Sequence, residues 1–318
     1  MSSIKKVLVQ QTHLDIFSCD RRTNIDIKGW IANQNYYIDE DLTLKSFSLR
    51  ASDKDYLKAS LANDCNRMAM AAIESISGIK TDDIMNKSGA WGIIRSYYAA
   101  FFSIHSIMRM FGISCSQLEQ DHVDKIYELS NIFGKTGSIS KLEKGFYSIE
   151  IDKSFTNVQF YKYKDSHKDT WERFLILLEK LKDQSISVSS LSNYKIEAID
   201  ILYSIKKGIT RSHCGKSGNW LSVIRNSVNY QQSHGVWYPY EKRPVAPSYI
   251  NKIASEWTKR SEDLKSSLTK SDIETFFEIV LMISALFREL LIGCSCKANN
   301  KNKTFVNGCL RLLNSIKV

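Results

Sequence analysis

The chain has 318 residues, 43% hydrophobic and 25% charged, which excludes a disordered or fibrous polypeptide and allows one large domain or two modest ones. Its net charge of +10 lies wholly in the second half: residues 160–318 hold 25 Lys+Arg against 15 Asp+Glu, whereas residues 1–159 hold 19 of each. That asymmetry suits a polyanionic partner such as RNA or DNA, or else a basic surface kept for solubility.

Seven cysteines stand at 19, 65, 115, 214, 294, 296 and 309 without a CxxC pair or a His-x-x-x-His arm, so neither a metal nor any other cofactor is expected. An odd cysteine count and the short apolar stretch Val7-Leu8-Val9 after Lys5-Lys6 point to reduced thiols in a cytoplasmic protein. The longest apolar run, Ile279 to Phe287, is too short to span a bilayer, so no membrane association is expected. The three prolines (Pro239, Pro244 and Pro247) cluster, leaving little elsewhere to interrupt helices, which favours an all-α fold.

Residues 1–50 form a separate N-terminal segment, irregular or small β, with Lys6–Val9 and Tyr36–Ile38 as candidate strands. Ser52 with Asp55 resembles a capping box. Leu57, Leu61, Cys65, Met68, Ala72 and Ile76 then recur at helical spacing until Gly78. A second helix reaches residue 111 through Trp91, Ile94, Tyr98, Phe101, His105 and Met108, and a third covers 118–133. His105 sits on that apolar stripe and reads as a satisfied core histidine; Arg95 reads as structural. Residues 135–168 have no clean period and read as loop, with a short strand near Val158-Gln159-Phe160. Helices are predicted at 169–183, 194–207, 219–233, 249–268, 272–292 and 304–316, with a Ser-rich linker at 185–192. Ser271 and Glu274 form a further capping box, and Cys294-Ser-Cys296 reads as loop after Gly293.

The 219–233 helix carries the chemistry. Trp220, Ile224, Val228 and Gln231 make one, mostly apolar, face; Arg225, Asn226, Asn229, Tyr230 and Ser233 make the other, and His234 and Gly235 follow. A guanidinium can neutralise charge developing on a phosphorane while an imidazole moves a proton, so Arg225, Asn226 and His234 are the candidate catalytic residues for phosphodiester chemistry. Nine helical positions of about 100° separate the side chains of Arg225 and His234, which can meet if the helix breaks at Ser233–Gly235 or across a dimer seam. Gly215-Lys216-Ser217-Gly218 is not a nucleotide triphosphate loop, because Thr210 occupies a required glycine position and no strand precedes it. It can still touch a nucleic-acid backbone. Candidate nucleic-acid contacts are Asn229, Tyr230, Arg211, Lys216 and the aromatic, basic loop with Trp237, Tyr238, Lys242 and Arg243.

Trp91 with Tyr97-Tyr98-Ala99-Ala100-Phe101-Phe102, His122 near the start of the next helix, and Arg225-Asn226 ahead of His234 together resemble the HEPN superfamily. The resemblance implies an all-α helical bundle: a HEPN-like core at 52–133 and 219–292, within a single helical domain 51–318, and a long helical insertion at 135–218. It also implies a toxin or antiphage defence system and metal-independent endoribonuclease activity, in which the 2′-OH attacks the adjacent phosphate and leaves a 2′,3′-cyclic phosphate end. Arg225 would stabilise the charge, Asn226 orient the phosphate and His234 act as general acid or base. The implied partners are RNA or another nucleic acid, a second copy in a homodimer, and a partner protein or antitoxin. The alternative is a non-catalytic HEPN-like RNA-binding or protein-interaction module in a multicomponent defence complex.

Overall fold

A computed structural model describes residues 2–79, 89–187, 192–211, 217–236, 247–264 and 271–316. The chain opens with three short helices: α1 Ser3–Val7, α2 Asp15–Ser18 and α3 Ile27–Ala32. Strands β1 Tyr36–Tyr37 and β2 Ser46–Ala51 lead into α4 Lys54–Ser77 and α5 Ala90–Met110. Next come β3 Ile113–Leu118, α6 Gln120–Ile132, β4 Gly145–Ile151 and β5 Asn157–Tyr163. The remainder is helical: α7 Lys168–Ser187, α8 Ser192–Ile209, α9 Trp220–Gln231, α10 Pro247–Glu256, α11 Asp272–Lys297, α12 Lys303–Asn307 and α13 Cys309–Ser315.

The all-α expectation is therefore wrong. A five-stranded antiparallel sheet in the order β1-β2-β5-β4-β3 makes the fold mixed α/β. Scarce proline permits helices but does not forbid strands. Along β2 burial alternates with period two, the mark of one covered face, whereas β4 is buried at four successive positions, so alternation vanishes from the 145–151 sequence. Its hairpin to β5 is set by Asp152, whose carboxylate accepts from Thr156 N at 2.7 Å and Asn157 N at 3.1 Å. The sheet takes β1 and β2 from the first fifty-one residues, β4 from a stretch read as loop, and β5 from around the strand expected at Val158–Phe160, so these segments share one layer.

Smaller differences share that origin. Lys6–Val9 is helical, not extended, because Ile4, Val7 and Leu8 are all buried against α8 and α11. The cap of α4 is Asp53, which accepts from Tyr56 N at 3.0 Å, one residue beyond Ser52. Helix α11 runs through Cys294 and Cys296 to Lys297 instead of ending at Gly293. Its N-terminus does carry the reciprocal Ser271–Glu274 capping box.

Helices α4 and α5 pack side by side, and α11 lies against α5, α8 and α1. By length and composition α11 could cross a membrane, but 83% of its most apolar window is buried inside the protein. It is the central core helix. The turn from α5 into β3 depends on Gly112, at φ 78°, whose carbonyl accepts from Ile151 N at 2.8 Å. A Cβ there would stand 2.6 Å from Ile151 O and 2.5 Å from His13 Nε2. Gly112→Ala should cost about 2–3 kcal/mol in urea denaturation, through left-handed strain plus the backbone clash; an unchanged midpoint would contradict this account of the turn.

Candidate functional site

The site begins with α5. Its apolar residues are buried almost all round, so the polar side chains on its α4 face, at 105 and 109, are carried into the interior. Arg109 is only 1% exposed and donates from Nε to Asp64 Oδ2 of α4 at 2.8 Å. Ser114 of β3 donates to the same oxygen at 3.1 Å. Arg109 Nη1 also donates to His105 O at 3.0 Å and to His105 Nδ1 at 3.1 Å, which puts the His105 ring proton on Nε2. Burial first, and the Arg109 charge second, hold His105 well below its ordinary pKa, so it is neutral.

A second imidazole enters from the start of α7. Asp165 Oδ1 accepts from His167 N at 2.8 Å, fixing the first turn, and His167 Nδ1 meets the Tyr97 hydroxyl of α5 at 2.9 Å. Trp171, one turn further along α7, donates its indole N–H to the same hydroxyl at 3.2 Å. Phe101 lies between the two histidines, its ring centroid 4.6 Å from His167 and 4.7 Å from His105. Desolvation, followed by the Arg225 charge, lowers the His167 pKa, and burial pushes the Tyr97 phenol up.

These groups open on a cleft of about 270 Å³, into which α3 and α4 also bring Lys28, Asp26, Arg67 and Asp64. Arg67 Nη1 pairs with Asp26 Oδ2 at 2.7 Å, and the guanidinium is mostly exposed. Ser116 and Gln117 of β3 and Phe146 of β4 complete the wall. The result is a half-buried imidazole of lowered pKa sharing a cleft with the cations Lys28 and Arg67, an arrangement suited to taking a proton beside a bound anion.

Arg225, the residue singled out by sequence, lies behind this cleft. It is 7% exposed, with its Cζ 4.9 Å over the Tyr97 ring and 5.9 Å from that of Tyr98. Its Nε is buried without a hydrogen bond. The helix does break where a break was anticipated: α9 ends at Gln231, Gln232 and His234 take left-handed backbone, and His234 Nε2 meets Ser227 Oγ at 3.1 Å. Ser227 follows Arg225 by two residues, about 200° round the helix, so the break carries His234 to another side of α9. The imidazole whose pKa the Arg225 charge lowers is His167.

The other candidates scatter. Asn226 is exposed, Asn229 partly so, and Tyr230 is 77% exposed, all away from the cleft lining. Arg211 reaches Asp272 at 3.1 Å and Thr275 at 3.2 Å, tying α8 to α11. Lys216, Trp237, Tyr238, Lys242 and Arg243 lie outside the described residues. His122 closes a capping box with Glu119 at the start of α6. His105 is the buried, bonded histidine expected.

Sequence reasoning missed His167, Lys28, Asp64, Arg67 and Arg109. The His105–Arg109 pair at i, i+4 was a readable signal of one polar face, and Asp165-Ser-His167 carried an N-cap signature. Asp64 and Lys28 gave none.

Three histidines, His13, His105 and His167, have pKa values lowered chiefly by burial. Each binds its proton more readily in the unfolded chain, where the ordinary value is 6.5. Their contribution is therefore complete above that pH and declines as pH falls below it. The carboxylates with lowered pKa, such as Asp53 and Glu262, start from ordinary values of 3.8 and 4.5, so they act in a lower window. Urea midpoints should fall between pH 7.5 and 5.5, and replacing His105 with Gln should flatten that slope; a slope the substitution leaves intact would contradict the assignment. Comparison with protein-family models, with curated proteins and with solved structures finds no match to this chain.

Proposed function

We propose that the protein is a metal-independent endoribonuclease whose reacting centre is the His167 cleft. The observation that carries this reading is His167 itself, an imidazole kept neutral and anchored on Tyr97, lining the same cleft as the cations Lys28 and Arg67. In the reactive tautomer Nδ1–H is donated to Tyr97 Oη and Nε2 keeps its lone pair. Nε2 takes the proton of a ribose 2′-OH, the O2′–P bond forms, the P–O5′ bond breaks, and the departing O5′ takes a proton from solvent. The products are a 2′,3′-cyclic phosphate and a 5′-hydroxyl. Lys28 and Arg67 hold the phosphate and offset its developing charge. Arg225 is a positioning residue: after burial, its charge further lowers the His167 pKa, and its guanidinium packs on the Tyr97 ring that orients the imidazole.

The aromatic α5 helix supports the HEPN-like reading of the chain. A non-catalytic RNA-binding role is favoured by one observation, the burial of Arg225, which suits a structural pin.

RNA incubated with the protein in excess chelator should yield 2′,3′-cyclic phosphate ends. His167→Ala should slow cutting about 10²–10⁴-fold, and His234→Ala should leave it near the parent rate. Arg225→Met should move the acidic limb of the pH–rate profile upward, because removing the cation raises the His167 pKa. Undiminished cutting by His167→Ala overturns the proposal, and binding without cutting by the parent selects the non-catalytic role.

A further inference from the structure

The floor of the cleft holds a half-satisfied imidazole. His105 is 7% exposed and bonds through Nδ1 alone, which accepts from Arg109 Nη1 at 3.1 Å. That bond leaves the ring proton on Nε2. Nε2 has no protein partner among the described residues, yet it is not one of the polar atoms shut away from solvent, and His105 lines the cleft. Its N–H therefore opens on the cleft with room for an acceptor. A donor so deep in the protein is costly to leave without one. Arg109, donating to the opposite ring nitrogen, draws electron density from the imidazole and strengthens Nε2–H as a donor. The charges around it favour an anion. Arg109 is paired with Asp64 and Arg67 with Asp26, whereas Lys28 has no carboxylate partner among the described residues. The side chains lining the cleft thus carry one positive charge in excess, the match for the single negative charge of a phosphodiester.

We infer that His105 is a second substrate-binding imidazole, whose Nε2–H donates to a non-bridging oxygen of the phosphodiester held beside His167 and Lys28. This rests on the proposed function for the identity of the anion, and it deepens that reading by giving the phosphate a fixed donor besides its two cations. Both imidazoles pack on Phe101, whose ring centroid is 4.7 Å from that of His105 and 4.6 Å from that of His167. Their separation cannot exceed those two distances laid end to end, a gap that a ribose and its 3′-phosphate bridge. His167 meets the 2′-OH while His105 meets the phosphate next to it. The Nε2–H is held in place by Arg109 and by the body of α5, so no side chain has to be ordered as charge grows on the oxygen. Burial and the Arg109 charge keep this ring neutral, so it donates a hydrogen bond and not its proton.

The test uses the full chain, isotope-labelled at histidine, and a dinucleotide of two uridines with a 2′-O-methyl group, which presents one phosphodiester and cannot be cut at it. In excess chelator, titration should move the His105 Nε2–H resonance downfield, the signal being assigned by its loss in His105→Gln. His105→Leu should weaken binding about 10-fold, in line with one hydrogen bond to a charged group. His105→Gln, whose amide nitrogen reaches the Nε2 position, should recover most of that loss. Lys28→Gln should also weaken binding, yet leave the His105 resonance shift in place at saturation. The resonance is read in the parent protein, so the test stands even where His105→Leu does not fold. A His105 Nε2–H signal that the dinucleotide leaves unmoved, equal affinity of parent and His105→Leu, or no binding by the parent overturns the inference. Inorganic phosphate that displaces the dinucleotide mole for mole assigns the donor to free phosphate and overturns it as well. The endoribonuclease reading fails separately, by intact RNA in the cleavage assay.

Discussion

The Asp64 carboxylate, met by the Arg109 guanidinium, holds three elements at one point: α4 supplies the acid, α5 the base, and Ser114 brings in β3. Two charges so far from water are stable only when their geometry and remaining hydrogen bonds are nearly complete, and here His105 completes the set. The helix pair, the edge of the sheet and the floor of the cleft are thereby fixed relative to one another. The network confers position rather than large net stability, because desolvation consumes much of the Coulomb attraction.

From this tie a polar thread runs along α5. Arg109 and His105 lie at one end, Phe101 separates the two histidines, and Tyr97 holds His167 with help from Trp171. Arg225 closes the far end over the Tyr97 ring. Spacings of four residues place 97, 101, 105 and 109 along one helical stripe, of which Phe101, His105 and Arg109 line the cleft. The groups brought by α3 and α7 face this wall from shorter or exposed segments.

That stripe was half legible in the sequence. The run Tyr97 to Phe102 announced an aromatic helix, and His105 was rightly placed inside, but Arg109 drew no notice because a charged residue in an apolar stripe looks like a helix end. Arg225 was found by its polar neighbours, yet those neighbours face outward while Arg225 turns in towards α5. His167 was hidden in a stretch that read as aperiodic, since β4 is covered on both faces and loses its alternation. From α7 onward the expected helices are present with shifted bounds: α10 stops at Glu256 instead of 268, α11 continues past Gly293 to Lys297, and Gly308 divides the last into α12 and α13. Long-range pairing is what a linear pattern carries least: nothing in Asp64 or Lys28 marks them as neighbours of a histidine a hundred residues away.

The position of α11 has a consequence for synthesis. After α4, this helix is the largest neighbour of α5, yet it leaves the ribosome roughly 160 residues after α5 is complete, a delay of about ten to thirty seconds at ordinary translation rates. Throughout that interval the nascent polypeptide has α4 to lay on α5 but lacks the apolar cover that α11 supplies. Production of this protein should accordingly lean on trigger-factor-like holdases, and stalling before codon 272 should leave an aggregation-prone fragment.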